Sequence, residues 1–169
     1  PVIGPHLVRS WHRRRFEQRM ERPLRLDPPV DLNEHLVHRI LYDRDPRLKI
    51  VCDKIAVREL IRERVGEAFV VPLLGVWSDP REIEWEALPE RFVLKPNHGS
   101  GSVALVHGEP DRDPEALARQ AADWLRDDYF DVSLEWGYRD LPRRILAEPL
   151  LDGEGGAATH RRSAHAVVE

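Results

Sequence analysis

The feature that most constrains the fold is a run of turn-forming residues between two short apolar segments. Residues 91–95 (Arg-Phe-Val-Leu-Lys) and 103–106 (Val-Ala-Leu-Val) have the composition of β-strands. Between them, residues 96–102 (Pro-Asn-His-Gly-Ser-Gly-Ser) all favour turns. The sequence therefore predicts a β-hairpin with a glycine-rich loop.

Helices and further strands are predicted on both sides of this hairpin. Because they mix without a strict strand–helix–strand alternation, the pattern indicates an α+β fold with a mostly antiparallel sheet. The predicted helices cover residues 1–22, 34–42 with Asp31 or Asn33 as the cap, the segment from Asp53 to Gly66, and the segment from Asp113 to about Asp128; the other predicted strands cover 69–77 and 144–151.

Composition excludes several classes of protein. The chain has 169 residues, of which 41% are hydrophobic and 33% charged, enough apolar material for a folded core. It has no stretch of about 20 apolar residues, as a membrane span needs, and its first residues lack the apolar core that we expect of a secretory signal. Its single cysteine, Cys52, can form neither an internal disulfide nor a thiolate zinc site. We expect a cytoplasmic protein.

The charge is unevenly distributed. The net charge is -4, yet residues 1–25 carry seven arginines against two glutamates, which leaves +5 there and -9 elsewhere. Such an arm can contact RNA or an anionic membrane surface, whereas a solvated helix with arginines facing water is the simpler interpretation. The acidic body disfavours a nucleic-acid partner. Peripheral membrane contact through the arm remains open.

The glycine-rich loop is the strongest candidate for a site. Glycines let backbone N–H groups approach an anion, and Ser100 and Ser102 add hydroxyl donors. Lys95, on the strand before the loop, is placed to neutralise a phosphate that the loop covers. The pattern is not a P-loop, because the lysine precedes the glycines and a strand follows them. An ordinary hairpin with a long turn is the open alternative.

Other titratable side chains give weaker signals. His98 is a candidate base, but a hydrogen-bonding or exposed histidine is the favoured interpretation. His35 and His38 have the spacing of metal ligands without an identifiable partner, so we predict a surface pair and no metal site. Glu148 is the sole carboxylate in an otherwise apolar strand, where it either faces water at the strand end or serves a site. No catalytic residue is identified.

Several segments resemble the TupA-like ATP-grasp family in order and spacing. This family is associated with the biosynthesis of teichuronopeptide and other cell-surface polysaccharides. The likeness covers about residues 48–152, and its most specific part is the run from the predicted strand into the glycine-rich loop. The segments are residues 52–59 (Cys-Asp-Lys-Ile-Ala-Val-Arg-Glu), 72–77 (Pro-Leu-Leu-Gly-Val-Trp), 88–101 (Leu-Pro-Glu-Arg-Phe-Val-Leu-Lys-Pro-Asn-His-Gly-Ser-Gly), 135–138 (Glu-Trp-Gly-Tyr) and 144–148 (Arg-Ile-Leu-Ala-Glu).

The resemblance implies a domain organisation. ATP-grasp proteins close a nucleotide between two α+β lobes. Residues 31–152 would then be the N-terminal and small-lobe part of an ATP-grasp domain, with antiparallel sheet and flanking helices. Residues 1–30 would be a basic helical arm and linker, and residues 153–169 an irregular tail.

The resemblance also implies a nucleotide site. Lys95 would contact phosphate, and Lys54 would belong to the small lobe, although a surface lysine at a helix start is the open alternative. Glu148 would lie near the adenine amine, where Pro149 supplies a carbonyl acceptor and Leu151 an N–H donor. Proline lacks only the donor, which this role does not use. The loop residues implied to bind the cofactor are His98, Gly99, Ser100, Gly101 and Ser102.

The sequence departs from the family after Asp152. A glycine- and alanine-rich segment replaces the continuation that supplies the magnesium ligands, as a truncation or a shifted reading frame would produce. We therefore expect ATP binding without activity of the chain alone, and magnesium only in a full-length carboxylate–amine ligase working with envelope-biosynthesis enzymes. The alternatives are a non-catalytic module that docks a glycosyltransferase or an anionic partner, and a decayed reading frame without a stable fold.

Overall fold

The computed structural model describes residues 4–151 and forms helices around one four-stranded sheet. The predicted tail, residues 153–169, lies outside the described residues. The main elements are α1 (Pro5–Met20), α2 (Leu32–Tyr42), α3 (Arg47–Cys52), α4 (Val57–Arg64), β1 (Gly75–Trp77), β2 (Phe92–Pro96), β3 (Ala104–Val106), α5 (Pro114–Arg126), α6 (Tyr129–Ser133) and β4 (Ile145–Pro149), and short 3₁₀ turns include Glu67–Phe69 and Trp136–Tyr138.

The sheet has the strand order β1-β4-β2-β3, and every neighbouring pair is antiparallel. The predicted α+β class is thereby confirmed. β2 and β3 form the predicted hairpin, with Phe92 opposite Val106. β4 pairs with β2 on one side and β1 on the other, with Val93 opposite Glu148. The strand that carries Glu148 is therefore internal to the sheet.

The main core lies between the sheet and α5. Phe92 and Leu94 alternate with half-buried residues along β2, so both point to the same face of the sheet. α5 begins at Pro114 after the predicted cap Asp113, and it lays a stripe of apolar residues on that face. The buried members of this sheet core are Ile83, Leu88, Phe92, Leu94, Val106, Leu117, Ala121, Ile145 and Ala147.

The basic arm packs on α2 through a second, smaller cluster. Arg22 ties the connector to α2 by donating to Glu34 at 2.5 Å and to Asp31. Asp31 also caps α2 by accepting from the backbone N–H of Glu34 at 3.0 Å. α1 is therefore fixed against the body. The buried members of this arm core are Phe16, Leu24, Leu26 and Leu41.

The predicted strand over residues 69–77 is wrong for most of its length. Residues 67–69 form a 3₁₀ turn, and only Gly75–Trp77 pairs as β1. Pro72 has no N–H to donate to a ladder, which confines pairing to the residues after it. Leu74 already donates to the carbonyl of Ala147 at 2.8 Å, just before the strand begins.

The helix predicted after Asp53 is shorter than expected. Asp53 accepts from the backbone N–H of Ile55 at 2.8 Å and of Ala56 at 3.3 Å, which holds a turn before α4 begins at Val57. The sequence analysis also missed α3. This helix lies against the turn at Trp136–Tyr138, where a Cβ on Gly137 would lie 2.6 Å from the Sγ of Cys52. Gly137 thus permits the close approach that positions the end of α3.

Candidate functional site

The centre of the site is Glu148, whose single carboxylate pairs with two cations. Lys95 on β2 donates from Nζ to Glu148 Oε2, and Arg58 on α4 donates to Glu148 Oε1 at 2.9 Å. The carboxylate is 12% exposed. A buried carboxylate requires such partners, because an unpaired charge is costly away from water. Glu148 therefore does not face water at the strand end, and its service to a ligand site stays a prediction.

Arg58 is a residue of this cluster that the sequence analysis missed as a site residue. Its guanidinium is 11% exposed and also donates to the carbonyl of Val71. It lies 90 positions before Glu148 in the chain, so no local spacing connects the two. The only available signal was its place in the segment 52–59, on which the family resemblance rests in part.

Lys54 fastens the start of the glycine-rich loop. Its Nζ donates to the carbonyl of Pro96 at 3.0 Å and to the carbonyl of Gly99, and its backbone N–H donates to the carbonyl of Asn97 at 3.1 Å. Burial, and then the positive charge of Lys95, lower the pKa of Lys54 to about 8. The structure therefore places Lys54 beneath the loop rather than on the open surface.

Asn97 anchors the loop from the other side. It is fully buried, its Nδ2 donates to the carbonyl of Pro142 at 2.8 Å, and its Oδ1 accepts from the N–H of Arg144 at 2.8 Å. These bonds join the end of β2 to the segment before β4 and satisfy two backbone groups at once. The sequence analysis treated this residue only as a turn former.

His98 is buried, and its ring is directed to protein atoms. One ring nitrogen lies 3.1 Å from Oδ1 of Asn97 and the other 3.0 Å from the carbonyl oxygen of Trp124. Both partners are acceptors, so whichever nitrogen carries the proton donates to its neighbour. Burial lowers the pKa of His98 below its ordinary value. A contact from His98 to a ligand would therefore come from its backbone.

The tip of the loop is accessible. Ser100 and Gly101 are exposed and Ser102 is half-buried, whereas Gly99 is buried against Tyr129. Gly101 has a φ of 87°, a left-handed conformation that glycine adopts without strain. The loop is thus fixed at its base by Lys54 and Asn97 and exposed at the residues implied to cover phosphate.

The predicted hinge lies at the end of β4. Pro149 is the last residue of the strand and lies opposite Phe92, and the side chain of Leu151 beyond it is exposed. The structure therefore brings Lys54, Lys95, Glu148 and the loop together, with the chain leaving the sheet beside them.

A nucleotide phosphate suits this set of donors. Lys54, Lys95 and Arg58 bring three positive charges to the base of the loop, whereas Glu148 and the buried Asp53 bring two negative charges. An anion would offset the remaining charge and accept from the exposed loop.

Residues 4–151 contain no comparable set of side-chain ligands for magnesium. Within that range no group of three or more histidine, cysteine, aspartate or glutamate side chains is placed to hold a metal ion. The ring of His38 packs on Tyr42 with 4.7 Å between the centroids. Glu148, the carboxylate at the base of the loop, is already shared by two cations.

The fold and this cluster define an ATP-grasp-like small lobe: an antiparallel sheet whose hairpin carries a glycine-rich loop after a lysine. A family model described as TupA-like ATPgrasp matches residues 34–157, well over half of the chain, and the chain belongs to that family. No curated protein and no solved structure matches the chain. In the part of the chain that the structure describes, no helix is both long and apolar enough to cross a membrane.

Proposed function

We propose that this chain binds ATP between its glycine-rich loop and the end of β4. The observation that carries the proposal is the excess of positive charge under the loop, where the three cations Lys54, Lys95 and Arg58 outnumber the two carboxylates, Glu148 and Asp53. Backbone N–H groups at the exposed tip add donors that suit a phosphate. ATP supplies the phosphoryl group by which an ATP-grasp ligase activates a carboxylate.

Arg58 would allow Lys95 to leave Glu148 and bind a phosphate instead. If Arg58 were absent and Lys95 turned to a phosphate, Glu148 would be left as a buried, unpaired charge, which costs free energy. Because Arg58 also donates to Glu148, at 2.9 Å, the carboxylate keeps one cation when Lys95 is drawn away. Lys54 keeps the loop in place meanwhile through its bonds to two backbone carbonyls.

The adenine would lie at the hinge. There the carbonyl of Pro149 would accept from the adenine amine, the N–H of Leu151 would donate to the ring, and Glu148 would lie near the amine. We propose that the chain is the ATP-binding portion of a carboxylate–amine ligase-like protein of teichuronopeptide-type polysaccharide biosynthesis, cytoplasmic and associated with envelope-biosynthesis enzymes. Magnesium and ligase activity are expected only in the full-length protein.

Calorimetric titration with ATP, with and without magnesium, tests the proposal. The chain is expected to bind ATP saturably, and a variant that lacks residues 99–102 is expected to lose that binding because it loses the loop donors. The variant's thermal melt serves as the control for folding. Unchanged ATP binding by the deletion variant would contradict the assignment of the loop.

The exposed arginines of α1 support one alternative. Arg9, Arg13, Arg14 and Arg19 have exposed side chains, as a module that docks an anionic partner or a glycosyltransferase needs. If the chain melts cooperatively but does not bind ATP, this docking module becomes the leading function. If no cooperative melt occurs, the chain has no stable fold and both functions fail.

ATP affinity is expected to fall as the pH rises above about 8. In the free chain burial, and then Lys95, lower the pKa of Lys54 to about 8. A nearby phosphate favours the charged amine and raises this pKa, so the complex retains a proton that the free chain loses. Affinity is thus full below pH 8 and declines above it, by at most about tenfold per pH unit, until the pKa of the complex is reached.

Titrations at successive pH values, repeated with Lys54→Arg, measure this linkage. Arginine stays charged throughout this pH range, so the ATP affinity of the variant should not show the decline that Lys54 causes. An equal decline in both proteins would show that Lys54 is not the group responsible.

A further inference from the structure

A cleft of about 570 Å³ lies beside the glycine-rich loop, between the arm helix α1, α2 and the segment around α6. Its volume falls in the range of small-molecule sites. Ser100, at the exposed tip of the loop, lines the same cleft, so a molecule bound there would lie next to the loop. The remaining lining includes apolar side chains from both helices, among them Trp11, Phe16, Leu36, Val37 and Ile40.

The charges of the cleft are of both signs and are not paired with each other. Arg15 and Arg19 on α1 and Glu135 after α6 line it. In the described part of the chain, Glu135 has no side-chain hydrogen bond or ion pair, although Arg15 is close enough to influence it electrostatically. Burial raises the pKa of Glu135 above its ordinary value, with Arg15 opposing the shift. A cation placed beside this carboxylate would offset its desolvation.

The backbone holds Glu135 at the edge of the cleft. The preceding residue, Leu134, is buried and has a φ of 54°, a left-handed conformation that costs energy for a residue other than glycine. The carbonyl of Leu134 lies 3.4 Å from the Nε2 of the buried His12 on α1. Such a strained and tied turn fixes the direction in which Glu135 leaves the backbone.

We propose that this cleft binds the amino-acid substrate of the ligase, a molecule with an ammonium group, a carboxylate and an apolar side chain. Glu135 accepts from the ammonium group, Arg15 and Arg19 donate to the carboxylate, and the apolar side chain packs on Phe16 and Leu36. The inference rests on the proposed ATP-dependent function, because an acceptor site beside the loop has a purpose only in a ligase. An unpaired acid and two arginines on one apolar cleft match both charges of such a molecule.

Matched ligands separate the two ends of the site. L-leucine and L-phenylalanine are titrated into the chain by calorimetry, followed by the amide and the N-acetyl derivative of the tighter ligand. Glu135→Gln should weaken the binding of the amino acid and of its amide about tenfold, as expected for one lost charge-assisted hydrogen bond. Binding of the N-acetyl derivative, which has no ammonium group, should stay unchanged. The double variant Arg15→Gln/Arg19→Gln should weaken the binding of the amino acid and of the N-acetyl derivative, which both carry the carboxylate. Binding of the amide, which lacks the carboxylate, should stay unchanged.

Arg13→Gln is the matched control, because Arg13 is an exposed arginine of the same helix that does not line the cleft. The proposal is overturned if neither amino acid binds saturably. It is also overturned if Glu135→Gln, or the double arginine variant, weakens the binding of all three ligands equally. Amino-acid binding is measured without ATP and again in Lys95→Met, and ATP binding is measured in Glu135→Gln. Loss of ATP binding with retained amino-acid binding would therefore refute the nucleotide site alone.

Discussion

Lys95→Met is expected to weaken ATP binding by about 100-fold. The change removes the ammonium group implied to contact phosphate, and a hydrogen bond to a charged group contributes about 1.5–3 kcal/mol. Folding should change little, because Glu148 keeps Arg58 at 2.9 Å after Lys95 is lost. Calorimetric titration with ATP measures the affinity, and chemical unfolding measures the stability.

Lys49→Met is the control for the loss of a lysine as such. Lys49 lies on α3, 5.3 Å from the ring of Trp136, and its acidic partner is Asp140 at 4.0 Å, so ATP affinity should stay within experimental error. A second variant, Lys95→Met/Arg58→Met, leaves Glu148 without a cation and should unfold far more easily than either single variant. If Lys95→Met binds ATP as the unaltered chain does, Lys95 is not a phosphate ligand.

Asn97→Ala is expected to lower the free energy of unfolding by about 3 kcal/mol. The change leaves the carbonyl of Pro142 and the N–H of Arg144 without the partners that lie 2.8 Å away in the fold. These two hydrogen bonds contribute about 0.5–1.5 kcal/mol each. The ring nitrogen of the buried His98, 3.1 Å from Oδ1 of Asn97, loses its partner as well, which adds about 1 kcal/mol. Because these bonds hold the loop to the segment before β4, ATP binding should also weaken.

Asn33→Ala provides the matched comparison, since Asn33 is exposed on α2. In urea unfolding, the transition midpoint should fall markedly for Asn97→Ala and hardly at all for Asn33→Ala. Shifts of equal size would mean that Asn97 is not the anchor that its hydrogen bonds indicate.

The hairpin and its loop were predictable because their signals are local. Strand-forming residues on both sides of a run of turn formers specify β2, β3 and the connection between them. The caps of α2 and α5 were predictable for the same reason, since Asp31 and Asp113 each act on a residue three positions ahead. The family resemblance then pointed to the residues around this loop.

The partners of Glu148 were not predictable, because they depend on how distant segments pair. Lys95 lies 53 positions away in the chain and Arg58 lies 90 positions away. Only the pairing of β2 with β4 and the packing of α4 bring them together. The roles of Lys54 and Asn97 under the loop have the same origin, since both act on backbone groups far away in the sequence.

The strand predicted over residues 69–77 shows a different limit. Its apolar, β-branched composition is real, yet Phe69 is 68% exposed and the chain pairs only from Gly75. Composition predicts that a segment can form a strand, whereas pairing also requires a free N–H at each alternate position. Pro72 removes that donor, and Arg58 takes the carbonyl of Val71.

The arm core and the sheet core have no residue in common. The walls of the cleft belong to α1 and α2 on one side and to the segment around α6 on the other, and the buried His12 of α1 joins the two sides, with its Nε2 3.4 Å from the carbonyl oxygen of Leu134. A ligand in contact with both walls would add further links between segments that are distant in the chain. Hydrogen exchange should therefore slow along α1 and α6 together when the cleft fills.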